Sequence, residues 1–276
     1  MSIKIDYISD LHVDHWNKKY NIKYPCGAVE NNPLNMENFK NSKSKILIVA
    51  GDISDDLELS IKKLKEISKY YDKVLFVDGN HEHINSIPFL YDKFEINNMV
   101  KKIDISNNKL HYLTISPYII GSTLIIGNCG WWDYNNSDNK TIEENVENYF
   151  TNWIELSEKD SKIYCDFTTK NSIIEHNDLK ECIKFYNYCS DIKNIIIVTH
   201  TVPLEIFSKN LNMGVMGNTK NINLLKYSNK ITHWIFGHTH TKYNYNYNGI
   251  QFLSNPRGRP EDKNDEIYNV NTIEIE

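Results

Sequence analysis

A chain of 276 residues, 40% of them hydrophobic and 12% aromatic, carries enough apolar side chain for one large core or two small ones. Its formal charge of −5 and pI near 6.1 argue against a large nucleic-acid footprint, but not against a small phosphate ligand in a locally positive cleft. No apolar run approaches the ~20 residues of a membrane span, and the opening Met-Ser-Ile-Lys-Ile-Asp lacks the apolar stretch of a signal peptide. The five cysteines are odd in number and scattered without a Cys-x-x-Cys pair, so a cytoplasmic protein with reduced, structural thiols is expected.

In chain order, Ile3-Lys4-Ile5-Asp6-Tyr7-Ile8 alternates and predicts a first strand ending at Ser9-Asp10-Leu11-His12. The polar, Asn-rich stretch 17–44, with Pro25 and Pro33, predicts a long loop on the rim. Residues 45–50 are apolar after the lysine and predict a strand buried on both faces. That strand ends at Gly51-Asp52-Ile53-Ser54-Asp55-Asp56, and Leu57, Ile61, Leu64 and Ile67 continue with a helical period to about Tyr71. Lys73–Val77 predicts a third strand, ending at Asp78-Gly79-Asn80-His81-Glu82-His83. A helix is expected over 86–97, with short strands near 100–105 and 110–115. Ile119-Ile120 and residues 123–126 predict a hairpin turning at Gly121-Ser122.

Trp131 and Trp132 read as core side chains. Residues 138–190 turn polar, with helical patches at 141–158 and 169–190. The apolar run 194–198 predicts another buried strand, ending at Thr199-His200. A short helix is expected at 221–228, and then a strand at 232–236 that runs into Gly237-His238-Thr239-His240. Tyr243–Tyr247 and 250–253 flank Asn248-Gly249, a hairpin signal. A loop at 255–260 and a strand at 267–275 close the chain. No internal repeat or interdomain linker is found. A single domain over 1–276 is expected, with rim insertions around 15–44 and 131–190. Strands alternating with helices indicate an α/β or α+β protein whose chemistry sits at the carboxyl ends of the strands.

Those ends form a set: Asp10 and His12, Asp52, Asn80 and His81, His200, His238 and His240. Imidazole, carboxylate and amide together suit Mn, Fe, Zn, Co or Ni. Even seven of these eight are too many for one ion and fit two ions about 3.5–4 Å apart sharing one carboxylate. Asp52, alone on its strand end, is the expected bridge.

Asp10-x-His12, Gly51-Asp52-x-x-Asp55, Gly79-Asn80-His81-Glu82, the strand-final His200 and Gly237-His238-Thr239-His240 resemble, in order, the five blocks of the calcineurin-like metallophosphoesterase superfamily. Asn255-Pro256-Arg257-Gly258 resembles a subgroup of small bacterial and viral members. The resemblance implies an α+β fold of four layers, two facing mixed β-sheets flanked by helices. It implies that Asp10, His12 and His240 hold one metal ion, Asn80, His200 and His238 the other, and Asp52 both; the ions would be Mn, Fe, Zn, Ni or Mg. His81 is then the catalytic group that assists the leaving oxygen, with Asp55 orienting it. A bridging water acidified by both ions attacks phosphorus in line.

Further residues carry weaker expectations. Only two of the 31 basic residues are arginine, Arg257 and Arg259. A guanidinium grips phosphate in a bidentate fork, so both are candidate substrate contacts beside Asn80. The alternative is that Arg257 bonds neighbouring carbonyls and braces the loop. Glu82 is expected to fix its loop. His15 and His83 are expected to be solvated or structural, and His111, His176 and His233 structural. A small-molecule or cyclic-nucleotide phosphodiesterase is the leading reading. The block Gly51-Asp52-Ile53-Ser54-Asp55-Asp56 lacks the arginine that follows in protein phosphatases. A nuclease, a phosphomonoesterase and a non-catalytic scaffold are the alternatives. The expected partner is a small phosphoester, with nucleic acid not favoured and no membrane.

Overall fold

The structure, a computed structural model, describes residues 2–20, 30–105, 107–134, 156–208, 217–218, 220–262 and 268–276. Strands β1 (Ile3–Ile8), β2 (Ile46–Ala50), β3 (Lys73–Val77) and β4 (Leu110–Tyr112) run parallel, and β11 (Asn271–Ile275) lies antiparallel on the β1 edge. The second sheet has the order β5-β6-β7-β8-β10-β9. Its centre, β6 (Thr123–Asn128), β7 (Asn194–Thr199), β8 (Ile231–Ile235) and β10 (Ile250–Ser254), is parallel. β5 (Tyr118–Ile120) and β9 (Tyr243–Tyr247) are its antiparallel edges.

Both sheets are covered on both faces, which is why their central strands are continuously apolar rather than alternating. Ile5, Ile48, Leu75 and Val77 meet Ile125, Ile196, Val198 and Ile235 between the sheets. On the outer face of the first sheet, Leu47, Val49 and Phe76 pack on helices α2 (Leu57–Ile67) and α3 (Lys93–Ile103). Outside the second, Leu124, Ile126 and Ile197 pack on Leu179 and Ile183 of α4 (Glu158–Asn187). The result is the expected α+β arrangement of four layers. α1 (Glu37–Lys40) is one turn within the rim segment, its Phe39 buried against the α2 side.

Four elements differ from expectation. Residues 100–105 are not a strand: α3 runs to Ile103, because Asp92 and Glu95 form a reciprocal capping box and Ile96 and Val100 bury one face. The helix expected from residue 86 therefore starts at Lys93, after a 3₁₀ segment at His81–Ser86. The patch at 169–190 is part of a longer helix started by Ser157, which accepts the Asp160 N–H. The last strand begins at Asn271, not 267. Most of the helical patch expected at 141–158 lies outside the described residues. Trp131 and Trp132 are both buried, as expected. No helix among the described residues is long and apolar enough to cross a membrane.

Candidate metal centre

The carboxyl ends of β1, β2 and β3 in one sheet and of β7 and β8 in the other converge. Backbone bonds lace them together: Asp10 N–H to Gly51 O (3.0 Å), His12 N–H to Asp52 O (3.2 Å) and Gly237 N–H to His200 O (2.8 Å). Between the sheets, His200 Nδ1–H donates to Ala50 O at 2.9 Å and His238 N–H to Asp10 Oδ1 at 2.9 Å. Asp10, His12, Asp52, His238 and His240 all have positive φ, from 41° to 72°. Non-glycine residues rarely adopt this region, and such strain persists where surrounding bonds enforce it. Gly51 also has positive φ (+77°), and a Cβ there would sit 2.6 Å from His200 Nδ1.

Among the described residues the donors fall into three groups: Asp10, His12, Asp52 and His240; Asp52, His200 and His238, which shares Asp52 with the first; and His12, His15, Asp55 and His81, which shares only His12. In the first, His12 Nε2 and His240 Nε2 are 3.0 Å apart, and His240 Nε2 is 3.6 Å from Asp10 Oδ1. In the second, His200 Nε2 lies 3.1 Å from each of His238 Nδ1, Asp52 Oδ2 and Asn80 Oδ1. The oxygen that faces His200 is also 3.9 Å from His12 Nε2. Donors about 2.1 Å from one ion, at angles between 90° and tetrahedral, stand roughly 3.0–3.4 Å apart. The 3.0 and 3.1 Å spacings are edges of that kind, while the 3.6 Å His240–Asp10 and 3.9 Å His12–Asp52 separations are wider. Buried Asp10 Oδ2 has no hydrogen-bond partner, an orphan that a cation would satisfy. The residues present fit two divalent cations.

Beside these groups, His81 Nδ1–H donates to Asp55 Oδ1 at 2.6 Å, and His81 Nε2 stands 3.8 Å from Asp52 Oδ2. The other oxygen of Asp55 accepts His15 Nε2–H at 3.1 Å. His15 is fully buried, so it is not solvated. Glu82 fixes its loop as expected, accepting N–H bonds from Gly79, Asp52, Ile53 and Ser54 and the hydroxyl of Ser60. His83 is structural, tied through Nε2 to Asp78 at 3.0 Å.

Arg257 makes a carbonyl bond of the kind the alternative expected. Its Nη2 donates to Asn32 O at 2.5 Å, and its guanidinium lies 4.5 Å from the Trp16 ring centroid. Arg259 sits close enough to bias the charge of His12 and His15. Asp262 escaped the sequence reading: it accepts His240 Nδ1–H at 2.5 Å from the 3₁₀ turn Pro260–Asp262. Trp132 stacks on His238, with 5.8 Å between ring centroids.

Burial pushes Asp52 toward its neutral form, but His200 and His81 overcome it and hold the carboxyl well below the usual range. Burial pushes the His12 imidazole well down, reinforced by His81 and His240. His200 moves the other way: Asp52 outweighs burial and raises it to about 10. At Asp55, too, burial is outweighed, by His81 first and then His15, and the carboxylate stays charged. Burial and Asp52 together push Glu82 up to about 8.

A family profile described as calcineurin-like phosphoesterase matches residues 3–242. An uncharacterized protein of Acanthamoeba polyphaga mimivirus, L509, is 29% identical over 279 positions, covering 94% of this chain and 92% of that protein. Phosphopantetheinyl hydrolase from Mycobacterium tuberculosis superposes with a TM-score of 0.68 at 16% identity, covering 99% of this chain and 96% of that one. A dimetal phosphatase from Danio rerio gives a TM-score of 0.52 at 10% identity, covering 91% of this chain and 86% of that one. Both superpositions show a shared fold.

Proposed function

Because the chain belongs to the calcineurin-like phosphoesterase family, a family of dimetal-dependent phosphoester hydrolases, we propose that it hydrolyses a small phosphodiester. The observation that carries this reading is Asp52 standing between two donor groups with His81 beside it. Asp10, His12 and His240 would hold one divalent cation, and Asn80, His200 and His238 the other, with Asp52 available to both. Bound there, Mn, Fe, Zn, Ni or Mg supplies an acidified water and neutralises phosphate charge.

The chain's own residues do the rest. His81, anchored by Asp55 through Nδ1, gives its Nε2 proton to the leaving oxygen. Asn80, whose Oδ1 faces His200, offers its amide nitrogen to a phosphoryl oxygen. A diester is preferred to a monoester because the arginine that follows in protein phosphatases, which would meet the extra phosphate charge, is absent from this block. The position after Asp55 is Asp56, which caps α2 by accepting Leu59 N–H at 2.7 Å. Arg257 bonds Asn32 O through Nη2 and lies over Trp16.

The test is hydrolysis of a chromogenic diester beside its matching monoester, using protein stripped of metal and reloaded with Mn, Zn, Ni or Mg. Faster diester turnover supports the reading, and cyclic nucleotides and short oligonucleotides then distinguish small substrates from nucleic acid. Faster monoester turnover makes the protein a phosphatase. In His81→Ala both ions stay and turnover falls by roughly 10²–10⁴-fold; loss of metal instead makes His81 a ligand.

A further inference from the structure

His15 lies outside the two donor groups that share Asp52 and belongs to the third, with His12, Asp55 and His81; it is fully buried and spends Nε2 on the carboxylate that orients His81. A carboxylate gripped at one oxygen can swing about its Cβ–Cγ bond. Gripped at both, Asp55 cannot, and the His81 ring is fixed with it. The two imidazole planes stand nearly perpendicular, 77° apart, one on each oxygen. The backbone is arranged for this. The Asp14 carboxylate accepts His15 N–H at 3.2 Å and Asp55 N–H at 2.8 Å, so one side chain sets both ends of the His15–Asp55 bond. Burying these groups is costly unless their bonds are made; His15 Nε2, His81 Nδ1 and both Asp55 oxygens are bonded, while buried His15 Nδ1 has no partner among the described residues.

We propose that His15 is a positioning residue for protonation of the leaving group, acting through Asp55 on His81. The proposal rests on the reading of His81 given above. In that step the P–O bond breaks, the bonding pair goes to the leaving oxygen, and the His81 Nε2 proton follows it. The ring is left neutral, with Nδ1–H still on Asp55. His15 neither gains nor loses a proton; it keeps Nε2 aimed at the leaving oxygen.

The test uses metal-loaded enzyme and a series of alkyl aryl phosphodiesters that share one alkyl group and leave as dinitrophenol through to phenol. A good leaving group needs no acid and a poor one does. His81→Ala should lose rate steeply toward phenol while the wild type changes little. His15→Met, of similar bulk with no donor, should follow the steeper slope. Its loss should be about ten- to hundredfold at phenol and within about threefold at dinitrophenol, with both ions retained. His15→Gln, which returns an N–H at similar reach, should restore the shallow slope. Should the methionine variant not fold, His15→Asn, too short to reach Asp55 Oδ2, makes the same comparison. A His15 variant that loses rate equally across the series, or a glutamine no better than methionine, overturns the proposal and leaves His81 as the acid. An unchanged slope in His81→Ala removes the acid itself, and the proposal with it.

Discussion

Asp262 holds the outer nitrogen of His240 at 2.5 Å and in turn accepts the backbone N–H of Arg259 at 2.5 Å. A carboxylate behind a ligating histidine fixes the tautomer and the ring and raises basicity, and losing it typically weakens metal affinity about 10–100-fold. Asp262→Ala should show that loss at one of two sites in a competition with a fluorescent chelator. Equal affinity at both sites would leave Asp262 a surface contact. Gly79 makes a second case. A Cβ there would fall 2.1 Å from Asp52 Oδ1 and 2.6 Å from Asp52 N. Neither can yield, because Oδ1 accepts His81 N–H and N donates to Glu82. Gly79→Ala should therefore displace Asp52 and drop bound metal below two ions per chain, read by elemental analysis. Asp52 could be picked out of the sequence because it ends an apolar strand. Asp262 and His15 could not. The first is 22 positions from the ring it holds, and the second differs from an ordinary loop histidine only in what Asp55 does across 40 positions.

Strands announced themselves as elements because each apolar run, buried on both faces, stops at a polar ligand-type residue. Of α4 only the patch at 169–190 was legible, and the reason lies in its buried face. Ser161, Thr168, Ser172 and Glu175 are among its buried positions, so the apolar period is broken where it matters. Glu175 accepts N–H bonds from Gly130 (2.8 Å) and Trp131 (3.2 Å), tying α4 to the loop that carries Trp132 onto His238. Burial first, and then the Asp78 carboxylate, push the Glu175 carboxyl well above its ordinary value. Its folded form keeps a proton that the unfolded chain releases near pH 4.3. The stability this group contributes is full below that pH and is lost as pH rises toward the folded value. Each unit of difference is worth about 1.4 kcal/mol. Glu175→Gln keeps an acceptor oxygen and cannot ionise. In thermal melts at pH 5 and pH 8 the variant should lose less stability on going to pH 8 than the wild type does. Parallel losses would mean that Glu175 is charged in the folded protein.

At the scale of the molecule, the donors are divided between the two sheets. Asp10, Asp52 and Asn80 follow strands of the first, and His200, His238 and His240 follow strands of the second. The sheets otherwise meet through apolar side chains such as Ile48, Leu75, Ile196 and Val198, which resist separation without specifying register at the strand ends. Cations held across the divide would therefore fasten one sheet to the other. With none bound, the buried carboxylates of Asp10 and Asp52 repel, which adds to burial in raising Asp10. An ion that binds only the folded chain stabilises it by about 2.7 kcal/mol at a free concentration 100 times its dissociation constant. Two such sites, at roughly 2–4 °C per kcal/mol for a chain approaching this size, predict a fall in Tm on the order of 10 °C or more when a chelator strips the protein. Restoring excess Mn or Zn should reverse it. The change should be global, with amide exchange accelerating at the ends of β1, β2, β7 and β8 together, because both sheets lose the same fastening. If only the 237–240 loop exchanges faster and Tm holds, the ions bind one sheet and the bridging place given to Asp52 is wrong.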